Sequence, residues 1–156
     1  MKDEIINAFA DSAINVIKTM AFVDAAAGGA YPKQGRVAQG DVSGIIGFTG
    51  SVVGSFAVSF SEKCILKIAS NMLNEEFPKI TKDIEDAVGE LTNIISGDAR
   101  KRLHNERLTI AASLPTVVSG KDHTIEHVLG TSSIVIPFTT ADGPFAIDVC
   151  VKNNGH

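Results

Sequence analysis

Small and large apolar residues recur at three- and four-residue spacing from Ile6 through Ala10, Ala13, Ile17 and Met20, which predicts an amphipathic first helix. The stretch from Ala25 to Gly40 carries Gly28-Gly29, Pro32 and Gly35 and reads as a loop or an irregular lead-in to a strand. Between Ser43 and Phe60 the period changes to two: Phe56, Val58 and Phe60 share one face and Ala57 and Ser59 the other, and Gly50-Ser51 divides the run into a β-hairpin. Ser61 is placed to cap a second helix with inward positions at Ile65, Ile68 or Ala69, and Met72, ending near Asn74.

After Pro78 the longest helix is predicted, from about Thr81 to Glu106. Asp83, Glu85 and Asp86 open it and Arg100-Lys101-Arg102 lie late in it, so both ends suit the macrodipole. From Leu108 onward β-branched residues predict strands at Leu108 to Leu114, Thr116 to Ser119, roughly His123 to Leu129, and Ser133 to Phe138. Ala141-Asp142-Gly143 then turns the chain into a last strand, Pro144 to Val151, and a polar tail follows from about Lys152. Helices segregated from consecutive hairpins indicate an α+β fold, a mainly antiparallel sheet packed against two or three longer helices. With 156 residues, this is expected to be a single domain over positions 1–156.

A net charge of −4 and a pI near 5.5 leave no basic face to grip nucleic acid, and Arg100 to Arg102 read as a helix end. Cys64 and Cys150, two thiols far apart in sequence, suggest neither a disulfide framework nor a metal knuckle and read as reduced, at least half-buried thiols. No signal peptide and no apolar run long enough for a membrane span is visible, so a cytoplasmic location is expected.

On the longest helix, at about 100° per residue, Ile84, Val88, Leu91 and Ile95 fall in one sector extended by Ala99 and Leu103, which must face the core. Asp86, Glu90, Asn93 and Gly97 fall in the opposite sector, so Glu90 and Asn93 point to solvent one turn apart. Exposed Glu and Asn are common on any amphipathic helix. Asn93, however, is a mediocre helix former placed mid-helix, and Gly97 costs about 1 kcal/mol against Ala while letting another backbone approach closely. An acid, an amide and a bare patch in line suggest a docking surface.

The segment Asp86-Ala-Val-Gly-Glu90-Leu-Thr-Asn93-Ile-Ile-Ser-Gly97 resembles the signature of the CheC/CheX/FliY phosphatases: Asp or Ser, three residues, Glu, two residues, Asn, then a distant Pro. Pro115, in Ser113-Leu114-Pro115-Thr116, matches that Pro. The 21 residues between Asn93 and Pro115 are one fewer than the family pattern, which places the missing residue in the loop near His104 to Glu106. The opening helix with Asn7-Ala8-Phe9, the strand Asp41 to Gly47 and the hairpin from Gly50 to Phe60 extend the resemblance over nearly the whole chain, to CheX-type sequences. A second Glu-x-x-Asn copy is not expected, because Glu62 is followed by Ile65 and the pair Glu4 and Asn7 falls at a frayed N-terminus.

The resemblance implies a phosphatase acting on the phospho-aspartate of a CheY-type receiver domain, which brings its own Mg²⁺, so that this chain needs no cofactor or metal. It implies that Asn93 positions the attacking water, that Glu90 pairs with the receiver's active-site Lys, and that Asp86, Gly97 and Pro115 help hold the partner. A homodimer is implied as well. The alternatives are a non-catalytic module that docks a receiver or a flagellar switch component, and a structural dimerisation domain pairing the edges of its C-terminal strands.

Other motifs carry less. His123-Thr-Ile-Glu126-His127 matches the inverted zinc-protease string, but between Gly120 and Gly130 it reads as a strand surface, where the two His would not converge at helical spacing. Gly28-Gly29 and Ser119-Gly120-Lys121 lack the spacing of a phosphate cradle and read as turns, and no G-x-S-x-G elbow is present.

Overall fold

The computed structural model describes residues 2–33, 35, 38, 40–125 and 133–153. Among the described residues, three helices, α1 (Lys2–Ala21), α2 (Glu62–Leu73) and α3 (Lys82–Asn105), accompany one antiparallel sheet of eight strands: β1 (Ala26–Ala27), β2 (Tyr31–Pro32), β3 (Val42–Gly50), β4 (Val52–Phe60), β5 (Ile110–Ala112), β6 (Thr116–Ser119), β7 (Ile134–Thr139) and β8 (Phe145–Asn153). The strand order is β1-β7-β8-β4-β3-β5, with β2 also on β7 and β6 also on β3. The α+β expectation holds. The hairpin turns at Gly50, whose φ of 129° and close approach to the Thr109 carbonyl exclude a side chain.

The period-two face of β4 meets the helices as expected. Phe56, Val58 and Phe60 join Ile46 and Phe48 in the main core, and Phe9 of α1 stacks on Phe56 with ring centroids 4.5 Å apart and on Phe48 at 5.6 Å. On β7 and β8, Phe138 and Phe145 stack at 4.7 Å. Along α1, Ile6, Ala10, Ala13 and Ile17 are buried, but Met20, expected on the same stripe, is 37% exposed.

Helix α2 starts differently from its predicted cap. The Ser61 hydroxyl donates to the Pro144 carbonyl at 2.7 Å, and the Asp41 carboxylate accepts from the Glu62 N–H at 2.8 Å instead. The residue that satisfies the helix end thus comes from the bend just before β3, distant in sequence. Both Ile68 and Ala69 face inward, and Asn74 ends the helix in the left-handed region, φ 53°.

The other face of the sheet is also covered. Ala57 packs with Ala38 and Ile125, while Ser43 and Ser59 bond to each other at 2.5 Å. His123, read from sequence as part of a strand surface, is buried beside them, with Nε2 2.6 Å from the Ser43 hydroxyl and Nδ1 2.7 Å from the Gly120 carbonyl. A carbonyl only accepts, so Nδ1 donates to it; with a neutral ring, Nε2 then accepts from Ser43, and Ser59 donates to Ser43. This chain of bonds, not solvent, is what satisfies the ring. Glu126 and His127 lie outside the described residues, as do Val128 and Leu129 of the strand expected there and the end of the polar tail. Lys33 and Asp148 form a buried ion pair at 2.8 Å whose angles do not make a well-directed hydrogen bond.

Of the strands after α3, β7 and β8 leave no free edge, whereas β5 and β6 pair on one side only, with β3, among the described residues. Strand β8 lies between β4 and β7, and the outer edge of β7 is taken by β1 and β2, with the Gly28 N–H reaching the Pro137 carbonyl at 2.7 Å between them.

Candidate functional site

Helix α3 has the predicted bounds because its caps are Thr81 and Glu106 and its apolar stripe is continuous: Ile84, Val88, Leu91, Ile95, Ala99 and Leu103 are fully buried. The opposite face is then forced outward. Asp86, Glu90 and Asn93 are exposed, and Gly97 is half-exposed with open space where a side chain would stand. No hydrogen bond or ion pair ties the Glu90 carboxylate or the Asn93 amide to another described residue. Asp86 differs: it pairs with Lys82 at 2.8 Å, and the carboxylate holds the Lys82 ammonium above its ordinary pKa.

The helix is seated against the sheet by two glycines. A side chain at Gly44 of β3 would collide with the Thr92 hydroxyl, which sits fully buried and donates to the Val88 carbonyl at 2.7 Å. A Cβ at Gly89 would touch Val117 of β6 at 3.4 Å. At the start of α3 the Ser119 hydroxyl donates to Glu85 at 2.8 Å. Gly44 and Thr92 went unnoticed in the sequence, although a glycine inside a strand and a polar residue on a helix's core face together signal close backbone approach.

Pro115 is brought to the same place. Strands β5 and β6 run along β3 as one interrupted strand, β5 opposite Phe48 to Gly50 and β6 opposite Val42 to Ile45. The interruption is Ser113-Leu114-Pro115, because proline has no N–H to give the ladder. Ser113 holds the break on both sides: its N–H donates to the Gly47 carbonyl at 2.9 Å and its hydroxyl accepts from the Gly47 N–H at 3.1 Å. Pro115 and Val117 then line, with Lys82, Glu85, Asp86, Gly89 and Glu90, an open depression of about 400 Å³. The structure therefore joins Asp86, Glu90 and Pro115 in one depression, and Asn93 and Gly97 continue the same helix face beyond it.

Glu4 and Asn7 are not frayed, as expected from sequence, but helical and exposed within α1. They line a separate groove with Asp11, Arg102, Asn105 and Glu106, with no proline in its wall. Among the described residues no cluster of three or more His, Cys, Asp or Glu side chains could hold a metal ion, and no helix is long and apolar enough to cross a membrane.

Comparison with known proteins agrees with this fold. A crystal structure of a CheC-like superfamily protein from Shewanella sp. PV-4 is 39% identical, covers 98% of this chain and 100% of its own, and superposes with a TM-score of 0.90. The chemotaxis protein CheX of Desulfovibrio desulfuricans is 40% identical over 96% of this chain and 99% of its own, with a TM-score of 0.87. The CheY-P phosphatase CheX of Thermotoga maritima is 35% identical over 79 residues, 50% of this chain and 51% of that protein, so the match spans about half the length of that curated relative. The family model described as chemotaxis phosphatase CheX matches residues 42–139, a segment that contains the hairpin, α3 and the Pro115 break, and the chain belongs to the CheX family.

Proposed function

We propose that this protein hydrolyses the phospho-aspartate of a CheY-type receiver domain. The observation that carries the reading is the pairing of Glu90 and Asn93, free and exposed one turn apart on a helix wedged against the sheet, beside Pro115, in a member of the CheX family. The CheY-P phosphatase CheX of Thermotoga maritima supports the choice of substrate.

Hydrolysis of an acyl phosphate by water requires the water to be held in line and the spreading charge to be stabilised, with little covalent work for the protein. An amide meets the first requirement, because the Asn93 carbonyl accepts from the water while its NH₂ donates to a phosphoryl oxygen, and neither action involves a titration. Glu90 pairs with the receiver's active-site Lys and orients the docked domain. Mg²⁺ travels with the receiver as part of the substrate. Gly97 admits the partner's backbone, and Asp86 and Pro115 form the wall against which it sits. The reading includes a homodimer in the cytoplasm.

The test is the decay of a pre-phosphorylated CheY-type receiver from the same genome. Asn93→Ala is expected to abolish the acceleration, a loss of ~100-fold or more, the size that removal of a preorganised hydrogen-bonding group costs elsewhere, while receiver binding stays largely intact; Glu90→Ala is expected to weaken both. Undiminished dephosphorylation by Asn93→Ala would sink the mechanism.

A further inference from the structure

Among the described residues the most exposed large apolar side chain is Leu114, at 86%, and it belongs to the break between β5 and β6. Its exposure is built in. Ser113 is clamped to Gly47 by two hydrogen bonds, and Thr116 is already paired with Ile45, so only Leu114 and Pro115 bridge two fixed points. Pro115 fixes its own φ and biases the preceding residue toward an extended backbone, which denies Leu114 the helical turn that would fold it back. Pro115 itself lines the depression containing Glu90. A leucine standing in water, one residue before the proline that lines the depression with Glu90, costs solvation and gains nothing for the isolated fold.

We infer that Leu114 is an anchor for the phosphorylated receiver, inserting into an apolar recess on the domain that presents its phosphoryl group to Asn93. The inference rests on the function proposed above and adds to it a residue that governs affinity and partner choice without touching the reacting atoms. The division of labour follows from chemistry. Glu90 and Asn93 recognise charge that every phosphorylated receiver shares, whereas an apolar knob discriminates by the shape of what surrounds that charge. Because the bridge is held at Ser113 and Thr116 and Pro115 fixes its own φ, burying Leu114 gives up little backbone entropy, a condition that favours a hot spot.

The experiment is single-turnover decay of a purified, phosphorylated CheY-type receiver at increasing concentrations of this protein, giving a plateau rate and a half-saturating concentration. Leu114→Ser should raise the half-saturating concentration roughly tenfold or more, with the plateau rate within about twofold of wild type, and Leu114→Met should restore near-wild-type saturation. Asn93→Ala should show the converse, a lost plateau rate with binding to the phosphorylated receiver preserved in a direct binding titration. Wild-type activity combined with an unchanged half-saturating concentration in Leu114→Ser would overturn the anchor and leave the phosphatase intact. Inactivity of the wild type on every receiver tried would overturn the phosphatase and the anchor together. Because Leu114 is exposed, both variants should melt with the wild type, and a large loss of melting temperature would itself contradict the assignment of Leu114 to the surface.

Discussion

Cys64 shows how burial sets the chemistry of a single residue. It is fully enclosed in the core, and loss of solvation pushes its thiol from the ordinary 9.0 up to about 11, against the lowering effect of a hydrogen bond from Thr140. The folded chain therefore keeps this proton to a higher pH than the unfolded chain. The associated stability is complete below pH 9.0 and is lost as pH rises through about 11, an amount of the order of 2 kcal/mol. Denaturation midpoints measured from pH 8 upward should fall in that window, and Cys64→Ala should flatten the fall. Glu90 and Asn93 are the reverse case, since their properties come from lying outside the core. Their exposure follows from helical periodicity, but Leu114 could not be recognised this way. A leucine before a proline in a β-rich stretch is as easily a buried strand residue, and only the double clamp at Ser113 turns it outward.

At the scale of elements, the position of the site depends on how closely α3 approaches β3. Gly44→Ala would place a methyl within the radius of the Thr92 hydroxyl, and the helix must shift or twist to relieve it. Overpacking of this kind costs about 1–3 kcal/mol. Thermal melts should show that loss, and the rate on phosphorylated receiver should fall because Asn93 is the next residue along. Adding Thr92→Ala in the Gly44→Ala background should recover most of the stability, despite the deleted hydrogen bond to Val88. Strict additivity of the two losses would mean that the contact does not seat the helix. The start of α2 makes the same point about distance: its expected cap, Ser61, is occupied by Pro144, and the cap comes from Asp41. Local spacing located the end of the helix, whereas the group that satisfies it was settled by the β3–β4 hairpin and the β8 lead-in meeting there.

Across the whole molecule, the sheet carries a core on each side of unequal kind. The helix side is aromatic and aliphatic, whereas the far side holds Ser43, Ser59, His123 and the Lys33–Asp148 pair under loops. A buried charge left without its counter-ion keeps its full desolvation cost, so removing one partner is costly. Lys33→Ala leaves the Asp148 carboxylate enclosed without that cation and should lower unfolding free energy by about 3–5 kcal/mol, read as an earlier denaturant midpoint; a change within about 0.5 kcal/mol, typical of surface positions, would show that the pair is hydrated.

The amino-acid pattern by itself determined the parts of this protein in which period decides environment. The bounds of α3, its buried stripe from Ile84 to Leu103, the outward line of Asp86, Glu90, Asn93 and Gly97, and the hairpin around Gly50 all follow from 3.6- and two-residue repeats combined with turn chemistry. Asp86, Glu90 and Asn93, the helical part of the signature this chain resembles, stand on that same line, which is why their shared outward face was legible. Only the tertiary structure decided what depends on contact between distant segments: Gly44 admitting Thr92, Ser113 fixing the break that sets Pro115 beside Glu90, His123 turned inward onto Ser43, and the covered edge of β7. The physical reason is that periodicity reports which way a residue faces along its own element, whereas these features depend on which other element stands opposite, and that is set by packing.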